Sequence, residues 1–393
     1  MKVFVIGTGN PIPSFIQRRL HALNGRGVEV VVSMEYGQKH QLHPAIEIVR
    51  YGDVRQMKVN DALHYLGKLL SSPHIFFRLW KLNAVTGWSA RLKTTIKYFP
   101  LAVVPGVSLI HIQWLTLITR VNWLGALYNV PVMASVRGSQ VTVYPRTRAG
   151  FSDVVRQAIS QTDALHVVSK DLMPPCMDLG ARPAQLLVNY NGVNLEKFRP
   201  PVGQLPTQTL ALISVGAAIW RKGYLFQLEI LKQLMDFTPV SLTIVGEGPD
   251  LEGLKYLAFK MGVYKAVQFY GRANEEQVVA LLQQSDVYIS TSAAEGLANS
   301  CMEAAACGLP VVAFACEGMN ELVEHGHTGY IVPYGDVAIF VDHVRALADS
   351  KHRLALGKQA RQKMEREWSM DFWTDEMIKH YEVISQSTPK LNE

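Results

Sequence analysis

The chain has little cysteine. Cys176, Cys301, Cys307 and Cys316 are the four in 393 residues, with no CxxC spacing and no clustering with histidine. That pattern excludes a disulfide framework and a zinc site, and a reducing cytosol is the simplest compartment. The four read as buried small hydrophobes. A dinucleotide fingerprint is also missing: Gly7-Thr8-Gly9 lacks the third spaced glycine, so a dehydrogenase is poorly supported. Nor is there an unbroken apolar run of membrane length. Tyr98 to Thr119 carries no formal charge, but Pro100, Pro105, Gly106, His111 and Gln113 cut it into a short strand and a helix start. No signal peptide is visible, because Met1 to Gly7 reads as a first strand too short for a cleavable apolar segment.

Acid is absent from a long stretch. Between Ala62 and Ser152 there is no Asp or Glu, against ten Lys or Arg. Residues 1–152 hold 18 basic and 5 acidic side chains, a net of +13, and the remainder nets −7, giving +6 for the chain. Phe76, Phe77, Trp80, Trp88, Tyr98 and Phe99 interleave with Arg78, Lys81, Arg91, Lys93 and Lys97. Basic and aromatic side chains together suit contact with an anionic membrane surface. No nucleic-acid module is recognisable, so nucleic acid is not expected as a partner.

What is present is α/β alternation, written twice. Apolar, β-branched runs at Val3–Ile6, Val28–Ser33, Ile46–Val49, Val107–Ile112, Val132–Val136 and Ala164–Val168 predict a parallel sheet with helices between. Ser14 to Asn24 fits one such helix, with Ser14 as a candidate cap. Asn191-Gly192 and Pro200-Pro201 punctuate the chain, and Pro200 to Thr209 fits a linker. Alternation restarts at Leu210–Val215, Ser241–Val245, Val267–Tyr270, Val287–Ser290 and Val311–Phe314. The expected organisation is one Rossmann-like domain over 1–200, a second over 201–370, and an amphipathic helix within 371–393. Ligands of such sheets sit at the carboxyl ends of strands.

Four motifs lie at such ends. Glu295-Gly296-Leu297-Ala298-Asn299-Ser300-Cys301-Met302-Glu303 joins a strand to a small-residue helix and places two carboxylates around the turn. Val215-Gly216-Ala217-Ala218-Ile219-Trp220-Arg221-Lys222-Gly223-Tyr224 is a strand, a turn, two cations and a helix start. Gly246-Glu247-Gly248 permits close backbone approach, and Tyr270-Gly271-Arg272 ends the next strand.

These motifs resemble those of the GT4-type family of retaining glycosyltransferases, which take nucleotide sugars and have the GT-B fold. The resemblance covers nearly the whole chain and is specific over 210–335. It implies two Rossmann-like domains facing across a cleft, with a C-terminal helix returning to the first. It implies that Glu295 positions the donor sugar, that Glu303 holds the ribose, and that Lys222 binds the diphosphate. The family arginine falls on Ala217, so Arg221 is the substitute cation. Gly216, Gly246, Gly248, Arg272, Gly296, Leu297, Ala298, Asn299, Ser300 and Glu321 complete the expected donor side, with Glu321 equally readable as a helix cap. Arg137 stands where many members carry histidine, and an anionic group of either substrate is its natural partner. Gly9, Asn10 and His111 are placed on the acceptor side, although His111 also reads as a buried, hydrogen-bonded core histidine.

The implied activity moves a sugar from a UDP- or GDP-sugar to a saccharide acceptor, lipid-linked, in cell-surface polysaccharide assembly. No cofactor or metal is expected, and the sequence has no Asp-x-Asp triplet. The implied location is cytoplasmic, peripheral on the inner face of the plasma membrane. A nucleotide-sugar 2-epimerase of the same fold, a non-catalytic binding protein and a soluble transferase for a small acceptor are the rivals.

Overall fold

The computed structural model describes residues 1–82, 85–203 and 208–387. Residues 204–207 of the expected linker and 388–393 of the expected C-terminal segment lie outside the described residues. The chain divides into two units, each built on one parallel, Rossmann-like sheet.

The first unit comprises residues 1–168, 173–189 and the stretch from 374. Its strands are β1 (Lys2–Ile6), β2 (Glu29–Glu35), β3 (Glu47–Tyr51), β4 (Leu109–Ile112), β5 (Val132–Val136), β6 (Ala164–Val167) and β7 (Leu186–Val188). They pair in the order β3-β2-β1-β4-β5-β6-β7, every pair parallel. β1 has the sequence KVFVI and is buried on both faces, as a central parallel strand requires. Strand order reverses between β1 and β4, which opens a crevice at their carboxyl ends. One core face packs Ile16, Leu20 and Leu23 of helix Ser14–Gly25 together with Met377, Tyr381 and Ile384 of the last helix, Met370–Ser385. Ser14 lies inside its helix, with Pro13 at the cap position, so it is not the cap that the sequence suggested.

Three helices, Val59–Ser71, Pro73–Leu82 and Trp88–Ala102, fill the stretch between β3 and β4, where Asp61 is the last acid before the acid-free run. They share a small core of Leu79, Phe99 and Ala102 with Leu127. No helix among the described residues is long and apolar enough to cross a membrane.

The second unit comprises residues 169–172 and 190–373. Its strands are β8 (Leu210–Val215), β9 (Val240–Val245), β10 (Val267–Gly271), β11 (Val287–Ser290), β12 (Val311–Phe314) and β13 (Gly329–Val332). Their order is β10-β9-β8-β11-β12-β13, again parallel throughout. The reversal falls between β8 and β11, so the loops after Val215 and Ser290 meet at one crevice. Those two loops are the ones that carry Lys222 and Glu295.

Candidate active site

The site in the second unit is built by locking those two loops together. After β8 the chain runs through Gly216 to Ile219 into a tight turn, Trp220–Lys222, and then helix Tyr224–Leu234. Gly223 joins turn to helix in the left-handed region (φ 61°), and a Cβ there would lie 2.2 Å from the Thr291 carbonyl oxygen. Thr291, fully buried at the end of β11, donates from Oγ1 to the carbonyls of Lys222 (3.0 Å) and Gly223 (2.9 Å). The Ala293 amide donates to the Arg221 carbonyl at 2.7 Å. Tyr224 Oη donates to the Gly216 carbonyl at 2.8 Å. These bonds fix the cationic turn against the acidic loop.

Within that frame Lys222 Nζ lies 2.6 Å from Glu295 Oε1, with 23% and 14% of the two side chains exposed. The lysine stem folds over Gly216, where an added Cβ would lie 2.9 Å from Lys222 Cε. Burial alone would lower the Lys222 pKa, but the adjoining Glu295 carboxylate outweighs it and raises the value, so the lysine stays an ammonium. An ammonium carries three protons, and one engages Glu295. Cys301 lies close enough to feel both charges. Burial dominates there and pushes its thiol up to about 12, so it is no thiolate nucleophile at neutral pH.

Glu303 sits in the second turn of helix Asn299–Ala306 and is 9% exposed. Asn299 opens that helix and accepts a bond from Asn191 Nδ2 at 2.9 Å. Ser300 accepts from Tyr288 Oη at 2.7 Å. Gly296, Leu297 and Ala298 are buried in the connecting loop, and Gly318 presses on it, since a Cβ at Gly318 would lie 2.7 Å from the Gly296 carbonyl oxygen. Gly246 and Gly248 also serve close approach, but to the neighbouring loop. A Cβ at Gly246 would lie 2.0 Å from the Gly216 oxygen, and one at Gly248 would lie 2.3 Å from the Ala218 oxygen. Arg272 is exposed just beyond β10, two strands from the crevice.

Glu321 departs from expectation. Its Oε1 accepts from the Asp171 amide at 3.1 Å, and its Oε2 accepts from Tyr190 Oη. Asp171 returns the contact by accepting from the Gly318 amide at 2.9 Å. Glu321 thus ties residues 169–172 to the loop after β12, with both carboxylate oxygens engaged inside the protein. It is neither a helix cap nor a carboxylate left open to a ligand.

In the first unit the crevice at the carboxyl ends of β1 and β4 holds Arg137. Its Nε donates to the Gln113 carbonyl (3.1 Å) and its Nη2 to Gln113 Oε1 (2.5 Å). The guanidinium lies over Phe15 (4.8 Å) and Trp114 (5.7 Å). Burial lowers its pKa to about 9, with the nearby Arg19 cation adding to the effect. Among the described residues no carboxylate lies within ion-pair distance of it. The fork expected to grip an anion is therefore largely occupied by Gln113. Gly7, at φ 77°, lets the chain turn beneath Leu117, and Gly9 and Asn10 are exposed beyond it.

His111 must be removed from the acceptor side. It is fully buried, its Nδ1 is paired with Tyr381 Oη (2.6 Å) and its Nε2 with Ser135 Oγ (2.8 Å). Ser135 continues to His166 Nδ1 (2.8 Å), whose Nε2 meets the Asn189 carbonyl (2.8 Å). This chain ties the last helix to the sheet. The sequence reading also missed Thr291, Tyr288 and Gln113 as site residues and gave Tyr224, the last residue of the cationic motif, no role. Only the position of Thr291 after a buried strand offered a clue.

Residues 197–363 match the family Glycosyl transferases group 1. The match covers nearly all of the second unit, including both site loops. Among curated proteins, the chain is 23% identical over 264 residues to N-acetyl-alpha-D-glucosaminyl L-malate synthase of Bacillus anthracis, covering 65% of this chain and 68% of that protein. It is 28% identical over 255 residues to the amylovoran biosynthesis glycosyltransferase AmsK of Erwinia amylovora, covering 60% of each. Such alignments span about half to two thirds of the relatives' lengths. Among solved structures, HepE of Anabaena in complex with UDP and glucose superposes over 98% of this chain and 100% of its own, with a TM-score of 0.73 at 14% identity. That likeness shows the fold alone, the GT-B arrangement of two Rossmann-like units.

Proposed function

We propose that this chain is a retaining glycosyltransferase that takes a sugar from a nucleoside diphosphate donor, UDP- or GDP-linked, to a saccharide acceptor carried on lipid. The observation that carries the reading is the Lys222–Glu295 pair at 2.6 Å, held at the crevice where parallel sheets bind nucleotides. The two remaining protons of Lys222, with Arg221 beside it, meet the diphosphate. The second carboxylate oxygen of Glu295 accepts from a sugar hydroxyl, and Glu303 accepts from the ribose. In the reaction the bond from the anomeric carbon to the diphosphate oxygen breaks. The bond from that carbon to the acceptor oxygen forms on the same face. The acceptor proton passes to the departing diphosphate, whose growing charge the fixed cations stabilise. No protein nucleophile is needed, consistent with a protonated Cys301. The UDP bound by HepE supports a uridine donor, and the role of AmsK in amylovoran biosynthesis supports a saccharide acceptor.

A second reading, transfer to a small soluble acceptor, draws on the likeness to N-acetyl-alpha-D-glucosaminyl L-malate synthase. A thermal-shift panel of UDP, GDP, ADP and their sugars tests the donor side, since a ligand stabilises only what it binds. One uridine or guanosine diphosphate should raise the melting temperature, and an acceptor should then release that nucleotide from its sugar. Sugar conversion without acceptor would assign a 2-epimerase instead. Nucleotide binding without turnover on any acceptor would assign a binding protein.

A further inference from the structure

Helix Val59–Ser71 carries an apolar ridge that faces away from its own core. Its inward contacts come from Tyr65 and Leu69, which pack on the small core around Leu79 and Phe99. Val59, Leu63, Leu66 and Leu70 are instead 75%, 62%, 51% and 76% exposed, and no residue of the helix is buried. At about 100° per residue these four fall within an arc of roughly 60°. Scattered apolar surface residues need no explanation, but four in one stripe do. The next two helices add Phe77 (64% exposed) and Trp88 (72% exposed). Lys81 lies about one helical turn from Phe77 and is exposed, as is Lys93.

We propose that this three-helix region docks on an anionic lipid bilayer, with the ridge of helix Val59–Ser71 lying in the headgroup and acyl boundary. Charge decides among the occupants. In a symmetric pair of copies the same patch would meet itself, cation against cation, and residues 62–152 offer no carboxylate to offset that. Single-stranded nucleic acid would use the cations and could stack on Phe77 or Trp88, but it would leave the aliphatic ridge uncovered. An anionic leaflet takes both parts, headgroups meeting the lysines and arginines while acyl chains accept the leucines. Asp61 lies on the far side of the helix from the ridge, where it does not oppose the contact. The inference goes beyond the transferase reading, because it assigns a surface remote in sequence from the donor residues.

The test is co-sedimentation of the full chain with vesicles of phosphatidylcholine alone or enriched in phosphatidylglycerol. Wild-type protein should bind the phosphatidylglycerol vesicles and be released by high salt. Leu63→Glu with Leu66→Glu should weaken that binding at least about tenfold, and so should Lys81→Glu with Lys93→Glu. Each variant should keep the wild-type melting temperature and its shift with UDP. Loss of the UDP shift in wild type would refute the donor assignment and leave vesicle binding readable. Absence of wild-type binding to phosphatidylglycerol vesicles, or binding indifferent to the leucine pair, overturns the proposal. A wild-type dimer that the leucine pair dissociates in sedimentation velocity, with lipid binding unchanged, would give the face to a second copy and overturn it equally.

Discussion

Replacing Lys222 by glutamine removes one charge and keeps most of the side-chain volume. Two effects follow from the geometry. In the resting protein, Glu295 loses its partner at 2.6 Å while only 14% of its side chain is exposed. Stripping one member from a fully buried pair costs about 3–5 kcal/mol. Because both side chains retain some contact with water, a loss of about 2 kcal/mol is expected. In the proposed reaction, the diphosphate loses a fixed cation, a loss of about 3–4 kcal/mol by comparison with other charge-stabilising donors. That corresponds to a hundredfold or more in kcat/KM. The measurement pairs urea unfolding with transfer rates at limiting nucleotide sugar. Adding Glu295→Gln should restore most of the lost stability, since no uncompensated carboxylate remains, but none of the activity. The pH dependence has a definite sign. Lys222 has its pKa raised on folding, so its contribution is complete below its unfolded value near 10.5. It fades only as pH climbs past that value, and between pH 6 and 9 the stability difference between wild type and variant should stay flat. Transfer within threefold of wild type, or a double variant as unstable as the sum of the two singles, would refute the reasoning.

Other outcomes follow from the same coordinates. Glu303→Ala should lower transfer at least about a hundredfold while the fold survives, as read by steady-state rates and circular dichroism. Gly246→Ala would place its Cβ 2.0 Å from the Gly216 oxygen at φ 142°, so it should unfold the protein more readily and weaken nucleotide binding. Gly262→Ala, at φ 78° with open space around it, should cost only about 1 kcal/mol of backbone strain in the same urea titration. Burial, aided by nearby arginines, holds His111 and His166 well below the usual histidine range, so both are neutral when folded. The unfolded chain then binds more protons below about pH 6.5, and stability must fall on acidification. The pair accounts for about 2 kcal/mol between pH 6.5 and 5.5, and His111→Gln should roughly halve that slope in urea titrations at the two pH values. On the proposal that Lys222 and Arg221 supply the charge, a chelator should leave the transfer rate unchanged in an EDTA titration.

Much of this was legible in the sequence, for physical reasons that differ between elements. β5, β8, β11 and β12 fall on the residues expected, because each is a β-branched run bounded by glycine, proline or polar residues. β7 and β13 were not anticipated. β7 has only three residues at a sheet edge, and β13 begins with Gly329, where a Cβ would lie 2.0 Å from the Val311 oxygen. A strand that starts on glycine reads as a turn until its neighbour is known. The charges of the candidate site were legible as residue types at strand ends. Their pairing was not, because Lys222 and Glu295 stand 73 residues apart and meet only when β8 and β11 become neighbours. The same holds for Arg137, whose occupation by Gln113 depends on β4 and β5 lying side by side. Glu321 was ambiguous in the sequence because its partners, Asp171 and Tyr190, come from chain segments more than a hundred residues earlier.

The central claim is that Lys222, Glu295 and Glu303 gather around one nucleoside diphosphate. A crystal structure of the chain soaked with UDP tests it most directly. Diphosphate oxygens within hydrogen-bond distance of Lys222 Nζ, with ribose hydroxyls on the Glu303 carboxylate, are the expected result. A nucleotide bound elsewhere, with the Lys222–Glu295 pair untouched, would contradict it.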